Sequence, residues 1–178
     1  MHFLQAEDNI SQSHVVKESN HIDTECSFID QFQVNNSVVT YTGEDWTKTQ
    51  ILGKIPIDEQ HRFSIKILKT KRRYLWIGVS DCTYKGKRWC WGEDNWVYYC
   101  GWNGKVYEGP DQNIKAEGPG YRQEQILDIE VNTDEGYITW SVDGEILAQH
   151  VSPKLKDPSI KWVPLVKFFD NGDSVEWV

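Results

Sequence analysis

Residues 74–104 read YLWIGVSDCTYKGKRWCWGEDNWVYYCGWNG, and the fold turns on this stretch. It opens as a strand, with Leu75, Ile77 and Val79 alternating with Trp76, Gly78 and Ser80. It closes as a second strand that runs through Trp96 and Tyr99 into an Asn103-Gly104 turn. Between them lies a loop, residues 82–95, in which aromatics are mixed with Lys85, Lys87, Arg88, Glu93 and Asp94. Aromatics in strands are ordinary core material, whereas Trp89 and Trp91 in a charged loop point to recognition.

Working outward, nearly everything after Cys26 has a period of two. Residues 27–32, 38–41, 50–53 and 63–67 read as strands, the third as a short edge. Beyond the aromatic stretch, 110–120 reads as a polar loop with two prolines. Leu127, Ile129 and Val131 then alternate with Asp128 and Glu130, and Ile138, Trp140 and Val142 with Thr139 and Ser141. Asn103-Gly104 and Asp143-Gly144 are the dipeptides that tight type I′ hairpins require, because both positions need positive φ. The region 151–160 reads as a loop, 162–169 as a strand, and Asn171-Gly172 turns the chain into a last strand holding Val175 and Trp177. This makes about twelve short strands with close-set turns, which predicts an all-β, antiparallel two-sheet sandwich. Residues 1–25 lack a sustained period and are expected to form an N-terminal tail, with room for a short docked helix; 26–178 is the domain.

Composition narrows the function. A net charge of -8 argues against a phosphate-binding surface and so against nucleic acid as partner. The basic run Lys69-Thr70-Lys71-Arg72-Arg73 lies between apolar strands and reads as a solvated hairpin loop. No apolar run approaches the ~18 residues of a membrane span, and no signal-peptide core precedes the domain. The expectation is an intracellular, cytoplasmic chain with free thiols. Cys82, Cys90 and Cys100 have no zinc spacing, so neither a metal nor a cofactor is expected. Asp128 and Glu130 share a strand face, but a glycoside-hydrolase site needs more than two acids on one strand, and the ordinary reading is a solvated face. The chain is expected not to be an enzyme.

The ordered set Ile77-Gly78-Val79-Ser80, then Leu127-Asp128-Ile129-Glu130-Val131, then Gly136-Tyr137-Ile138-Thr139-Trp140-Ser141-Val142-Asp143-Gly144, then Trp162-Val163-Pro164-Leu165-Val166, resembles the SPRY domain family (PRY-SPRY, concanavalin-like) over 26–178. Asp143 and Trp140 stand where that family commonly has Asn and Phe. The resemblance implies a protein-interaction module, an adaptor that takes a short peptide segment of a partner on loops at one end of the sandwich. The matching loops are 43–48, 84–91 and 169–172, and their convergence is likewise an implication of the resemblance.

On those loops Trp46 with Asp45, Tyr84 with Lys85, Arg88, Trp89 and Trp91, and Phe169 with Asp170 are the candidate ligand contacts. Large amphipathic rings and a bidentate guanidinium suit a peptide. The same indoles could instead cap the end of the core, and Asn171-Gly172 is explained by a turn alone. Trp76, Trp140 and Trp177 read as core, while Trp96, Trp102 and Trp162 fit either role. Two further readings stay open. Trp-rich loops on a sandwich also stack on sugars, as in a carbohydrate-binding lectin, and the same surface could be permanently buried in a structural subunit of a larger assembly.

Overall fold

The computed structural model describes residues 20–25, 28–44, 49–58, 60–84, 95–109 and 114–178. Among these residues thirteen strands form two antiparallel sheets. In chain order they are β1 (Phe32–Asn35), β2 (Val38–Tyr41), β3 (Gln50–Leu52), β4 (Arg62–Lys69), β5 (Trp76–Asp81), β6 (Trp96–Cys100) and β7 (Lys105–Glu108). Then come β8 (Ile114–Glu117), β9 (Ile126–Asn132), β10 (Tyr137–Val142), β11 (Glu145–Val151), β12 (Trp162–Lys167) and β13 (Ser174–Trp177). One sheet has seven strands in the order β1-β2-β13-β4-β9-β10-β11, and the other six in the order β3-β12-β5-β6-β7-β8. The all-β sandwich expected from the alternation is therefore the fold, and the helical elements among the described residues are short 3-10 turns.

The inner faces meet in one core. Ile65 and Ile67 of β4, Ile129 and Val131 of β9 and Trp140 of β10 pack against Ile77 and Val79 of β5, Tyr99 of β6 and Val166 of β12. Trp140 joins the layers directly, its indole Nε1 donating to the Ile77 carbonyl at 2.9 Å. A buried indole N–H needs such an acceptor, and the opposite sheet supplies it.

Four local expectations change. Residues 29–31 form a 3-10 turn, and the strand expected over 27–32 begins only at Phe32, because its partner β2 is set by the turn after Asn35. That turn carries positive φ at Asn36 (57°). The polar loop expected over 110–120 contains β8, paired with β7 through Lys105↔Glu117 and Val106↔Ala116. Its burial is slight, so alternation could not reveal it. The Asn103-Gly104 hairpin has positive φ only at Gly104 (64°); Asn103 instead accepts the Lys105 N–H on its side-chain oxygen at 3.0 Å. The region expected as loop over 151–160 holds the end of β11 and a 3-10 turn, Pro153–Lys156, capped by Ser152. Asp143-Gly144 is the expected I′ turn, with φ of 53° and 80°.

Residues 21–23 run beside β3. Ile22 bridges Gly53 and is 1% exposed, while Asp23 N donates to the Leu52 carbonyl at 3.0 Å.

Candidate functional site

The six-stranded sheet is buried on both faces over β3, β12, β5 and β6. Every residue of β6 and β12 is buried, and all of β5 but its last. Period-two alternation sends Trp76, Trp96, Tyr98, Cys100, Val163 and Leu165 away from the main core, where with Leu52 they form a second apolar cluster. Tyr98 stacks on Trp76 at 4.4 Å between centroids and on Trp96 at 4.7 Å. Trp76, expected in the core, thus belongs to this outer layer, and Trp96 with it. Desolvation, helped by Cys100, pushes the Tyr98 phenol far above its ordinary value. Lys167 of β12 lies in the same layer, 1% exposed, with Nζ 5.2 Å from the Trp76 ring centre and 5.1 Å from that of Phe169. Burial pushes its ammonium down to about 6.

The layer reaches solvent at one end. Phe169 is half-buried and packs on Trp76 at 4.5 Å and edge-on to Tyr74 at 5.5 Å. Tyr74 in turn stacks on Trp102 at 5.1 Å with planes 16° apart, and Trp102 is 55% exposed. Arg72 lies 5.6 Å over the Tyr74 ring and grips Asp170 with a fork: Nε at 3.1 and 3.0 Å from the two carboxylate oxygens and a terminal nitrogen at 2.6 Å. The basic hairpin is therefore not wholly solvated. Two of its residues are tied to the turn after β12, since Lys71 N also donates to buried Asp173 at 2.9 Å.

Beside this strip lies a cleft of about 370 Å³ lined by Glu44, Lys71, Phe169, Asp170 and Asn171. It brings together the described part of the first candidate loop and the last one. Asn171 Nδ2 donates to the Thr42 carbonyl at 2.9 Å and Gly172 N to that of Tyr41 at 2.7 Å. Of the candidate contacts, Phe169 and Asp170 sit here. Asp45 and Trp46 lie outside the described residues, in a segment bracketed by Glu44 at the cleft and Thr49, whose carbonyl accepts from Phe168 N at 2.9 Å. Lys85, Arg88, Trp89 and Trp91 are also outside the described residues, and the backbone of Tyr84 ends a 3-10 turn after β5. That turn is at the far end of β5 from Phe169, because Asp81 pairs with Trp162 and Trp76 with Lys167.

By sequence Trp102 fits either role, Tyr74 stands at the start of a strand and Arg72 belongs to a solvated hairpin loop. One available signal was the exposed hairpin position of Trp102 beside an Asn-Gly pair. The other two contacts arise from tertiary neighbours and leave no local trace.

The acids of the other sheet are partnered. Ser64 Oγ donates to Asp128 at 2.5 Å, and Arg62 pairs with Glu130 at 2.5 Å. No group of three metal-ligating side chains occurs among the described residues, and none of their helices is long and apolar enough to cross a membrane.

An aromatic-faced antiparallel sandwich with loops gathered at its ends defines the class. Among solved structures the chain is similar to the SPRY domain of human HERC1, with a TM-score of 0.66 and 16% identity over 88% of this chain and 96% of that one. A second human SPRY domain gives 0.64 and 15% over 83% and 94%. The PSpry domain of TRIM65 gives 0.65 and 12% over 89% and 90%. No sequence-family model and no curated protein sequence matches. The chain has the SPRY-domain fold, and the resemblance read from the sequence is borne out at that level.

Proposed function

We propose that the chain is a non-catalytic protein-interaction module, an intracellular adaptor that needs no cofactor. It takes a short segment of a partner protein at the end of the sandwich where Phe169 and Asp170 line the cleft and Tyr74 and Trp102 continue the aromatic strip from Phe169. Asp45 and Trp46, which follow Glu44 in the sequence, are assigned as further contacts for the same segment. Tyr84, Lys85, Arg88, Trp89 and Trp91 supply a second contact region reached by a longer segment. The observation that carries the reading is Trp102, an indole more than half exposed and held flat on Tyr74, which packs edge-on to the cleft residue Phe169. Exposed, pre-oriented aromatics next to a guanidinium–carboxylate pair are the composition of binding hot spots.

Peptides selected on the wild-type chain from a displayed library test it. Trp102→Ala and Phe169→Ala should each weaken binding by about 30-fold, the scale of a hot-spot side chain. A Trp89→Ala/Trp91→Ala double variant reports on the second region. Unchanged affinity in folded Trp102→Ala and Phe169→Ala variants would remove this end of the sandwich from the binding site. Saturable glycan binding lost in the Trp89/Trp91 variant would favour a lectin with the sugar on that loop.

A further inference from the structure

The outer face of the seven-stranded sheet holds a second concavity, of about 610 Å³, remote in register from the aromatic strip. Strand pairing arranges its floor as two rungs. Arg62, Glu130, Thr139 and Gln149 lie side by side across β4, β9, β10 and β11, and Ser64, Asp128, Ser141 and Ile146 form the next rung. Rungs two residues apart are separated by about 7 Å, a span that one pyranose ring with its outer hydroxyls bridges. A bulge between β10 and β11, where Trp140 and Ser141 skip Leu147, increases the local twist. The hairpin tip beyond it carries Ile146, 66% exposed, as an aliphatic wall.

The polar groups alternate between donors and acceptors. Arg62 holds one oxygen of Glu130 and Ser64 one oxygen of Asp128, which leaves acceptor capacity on each carboxylate. The other Glu130 oxygen accepts a long hydrogen bond from the Tyr137 hydroxyl, at 3.4 Å. Gln149 Nε2 donates to Thr139 Oγ1 at 3.1 Å and keeps its own carbonyl oxygen as an acceptor. Hydroxyl groups both give and receive hydrogen bonds, so a polyol satisfies such a floor at every position, which a simple anion or cation does not. Two carboxylates disfavour phosphate, and the backbone of β4, β9 and β10 is already paired on both sides, so a peptide strand could add only at the outer edge of β11 and not on the floor itself.

We propose that this groove binds a saccharide, a neutral pyranose unit whose hydroxyls reach Asp128, Glu130 and Gln149 while its C–H face lies on Ile146. The site is separate from the peptide-binding end and does not depend on it.

Saturation-transfer NMR with free maltose, cellobiose, lactose, diacetylchitobiose and mannobiose, followed by an array of longer glycans, tests it on the full chain. At least one sugar should bind saturably. Asp128→Asn and Gln149→Ala should each lower its affinity about tenfold, the effect of one hydrogen bond involving a charged or well-placed group. Gln149 is exposed, so its variant keeps the test valid if Asp128→Asn fails to fold. Phe169→Ala should leave sugar binding unchanged. The proposal falls if no glycan binds, if both variants bind as wild type does, if the signal vanishes only in Trp89→Ala/Trp91→Ala, or if an arginine-rich peptide occupies the groove and sugars do not.

Discussion

Glu108→Ala should loosen the edge of the sandwich where the two sheets are tied by side chains. Glu108 ends β7 of the six-stranded sheet and is 9% exposed. One carboxylate oxygen is 2.6 Å from His150 Nε2 of β11, in the other sheet, and the second accepts from Ser152 Oγ at 2.7 Å. Lys154 Nζ stands 3.9 Å away and donates to the Gly109 carbonyl. Desolvation by itself would raise the Glu108 carboxyl, but the hydrogen bonds from His150 and Ser152 outweigh it and hold it below the ordinary carboxylate value. Truncation removes the acceptor and leaves Ser152, 1% exposed, and His150 without it. Leaving the buried Ser152 hydroxyl and the His150 ring nitrogen without their acceptor costs about 1–3 kcal/mol for each group, and in a chain of this size that is a fall in melting temperature of about 10 °C. Glu108→Gln keeps an acceptor for Ser152 and should cost roughly half as much. The pH dependence follows from the depressed value. Above the unfolded pKa both states are ionised and the full stabilisation is present; as pH falls through the folded pKa the folded carboxylate takes up its proton and the contribution is lost. Urea unfolding of wild type and Glu108→Gln between neutral and acid pH measures both effects. Equal acid sensitivity in the two proteins, or a Glu108→Ala variant as stable as wild type, would refute the reasoning.

The remaining expectations concern the aromatic layer. Lys167→Met should stabilise the fold at pH 7 by up to about 5 kcal/mol, because lowering the ammonium from 10.5 to about 6 disfavours the folded state by that much at that pH, where the buried amine is mostly neutral and has no cation–π attraction to the rings. Between those values the unfolded chain holds a proton the folded chain lacks, so wild-type stability rises with pH across the window while that of the methionine variant stays flat; parallel curves would contradict this. Gly78→Ala puts a Cβ 2.0 Å from the Val97 carbonyl oxygen and 2.6 Å from the Tyr98 Cα, both backbone, and should cost about 3 kcal/mol or abolish soluble expression. Trp102→Ala should leave the melting temperature within about 2 °C of wild type, because the ring is mostly exposed; a larger fall would make it a structural residue.

Alternation made β4, β9 and β10 legible because each buries one face, and the Asp143-Gly144 turn was legible because its φ requirement is local. Alternation also separated Leu75, Ile77 and Val79 from Trp76. It could not say that both faces of β5 are buried, since a tryptophan reads alike in a core and in an outer layer. β8 was hidden because an exposed edge strand needs no apolar period. The Glu108–His150 tie and the Arg72–Asp170 fork span 42 and 98 residues, and no local pattern records contacts at such separation. Of the candidate site, Phe169 was legible because extended alternation sets it opposite Phe168, although β12 itself ends at Lys167. Trp102 was not, because its exposure depends on which face of Tyr74 the hairpin leaves uncovered.

The two aromatic populations of residues 74–104 have different duties, and the buried one conditions the exposed one. Trp76, Tyr98 and Trp96 are stacked and inaccessible, and Phe169 rests on Trp76. Tyr74 leans on Phe169, and Trp102 lies on Tyr74. Each exposed ring is thus oriented by one beneath it, so a ligand meeting Trp102 need not order a free side chain, a step that costs about 0.5–1.5 kcal/mol per residue elsewhere. It follows that Trp76→Leu, which touches no exposed surface, should weaken a ligand held by Trp102 mainly through an unfavourable entropy, whereas Trp102→Ala should lose contact enthalpy. Calorimetry on one peptide with both variants separates the two, and identical enthalpy losses would mean that the buried layer supports the fold without orienting the site.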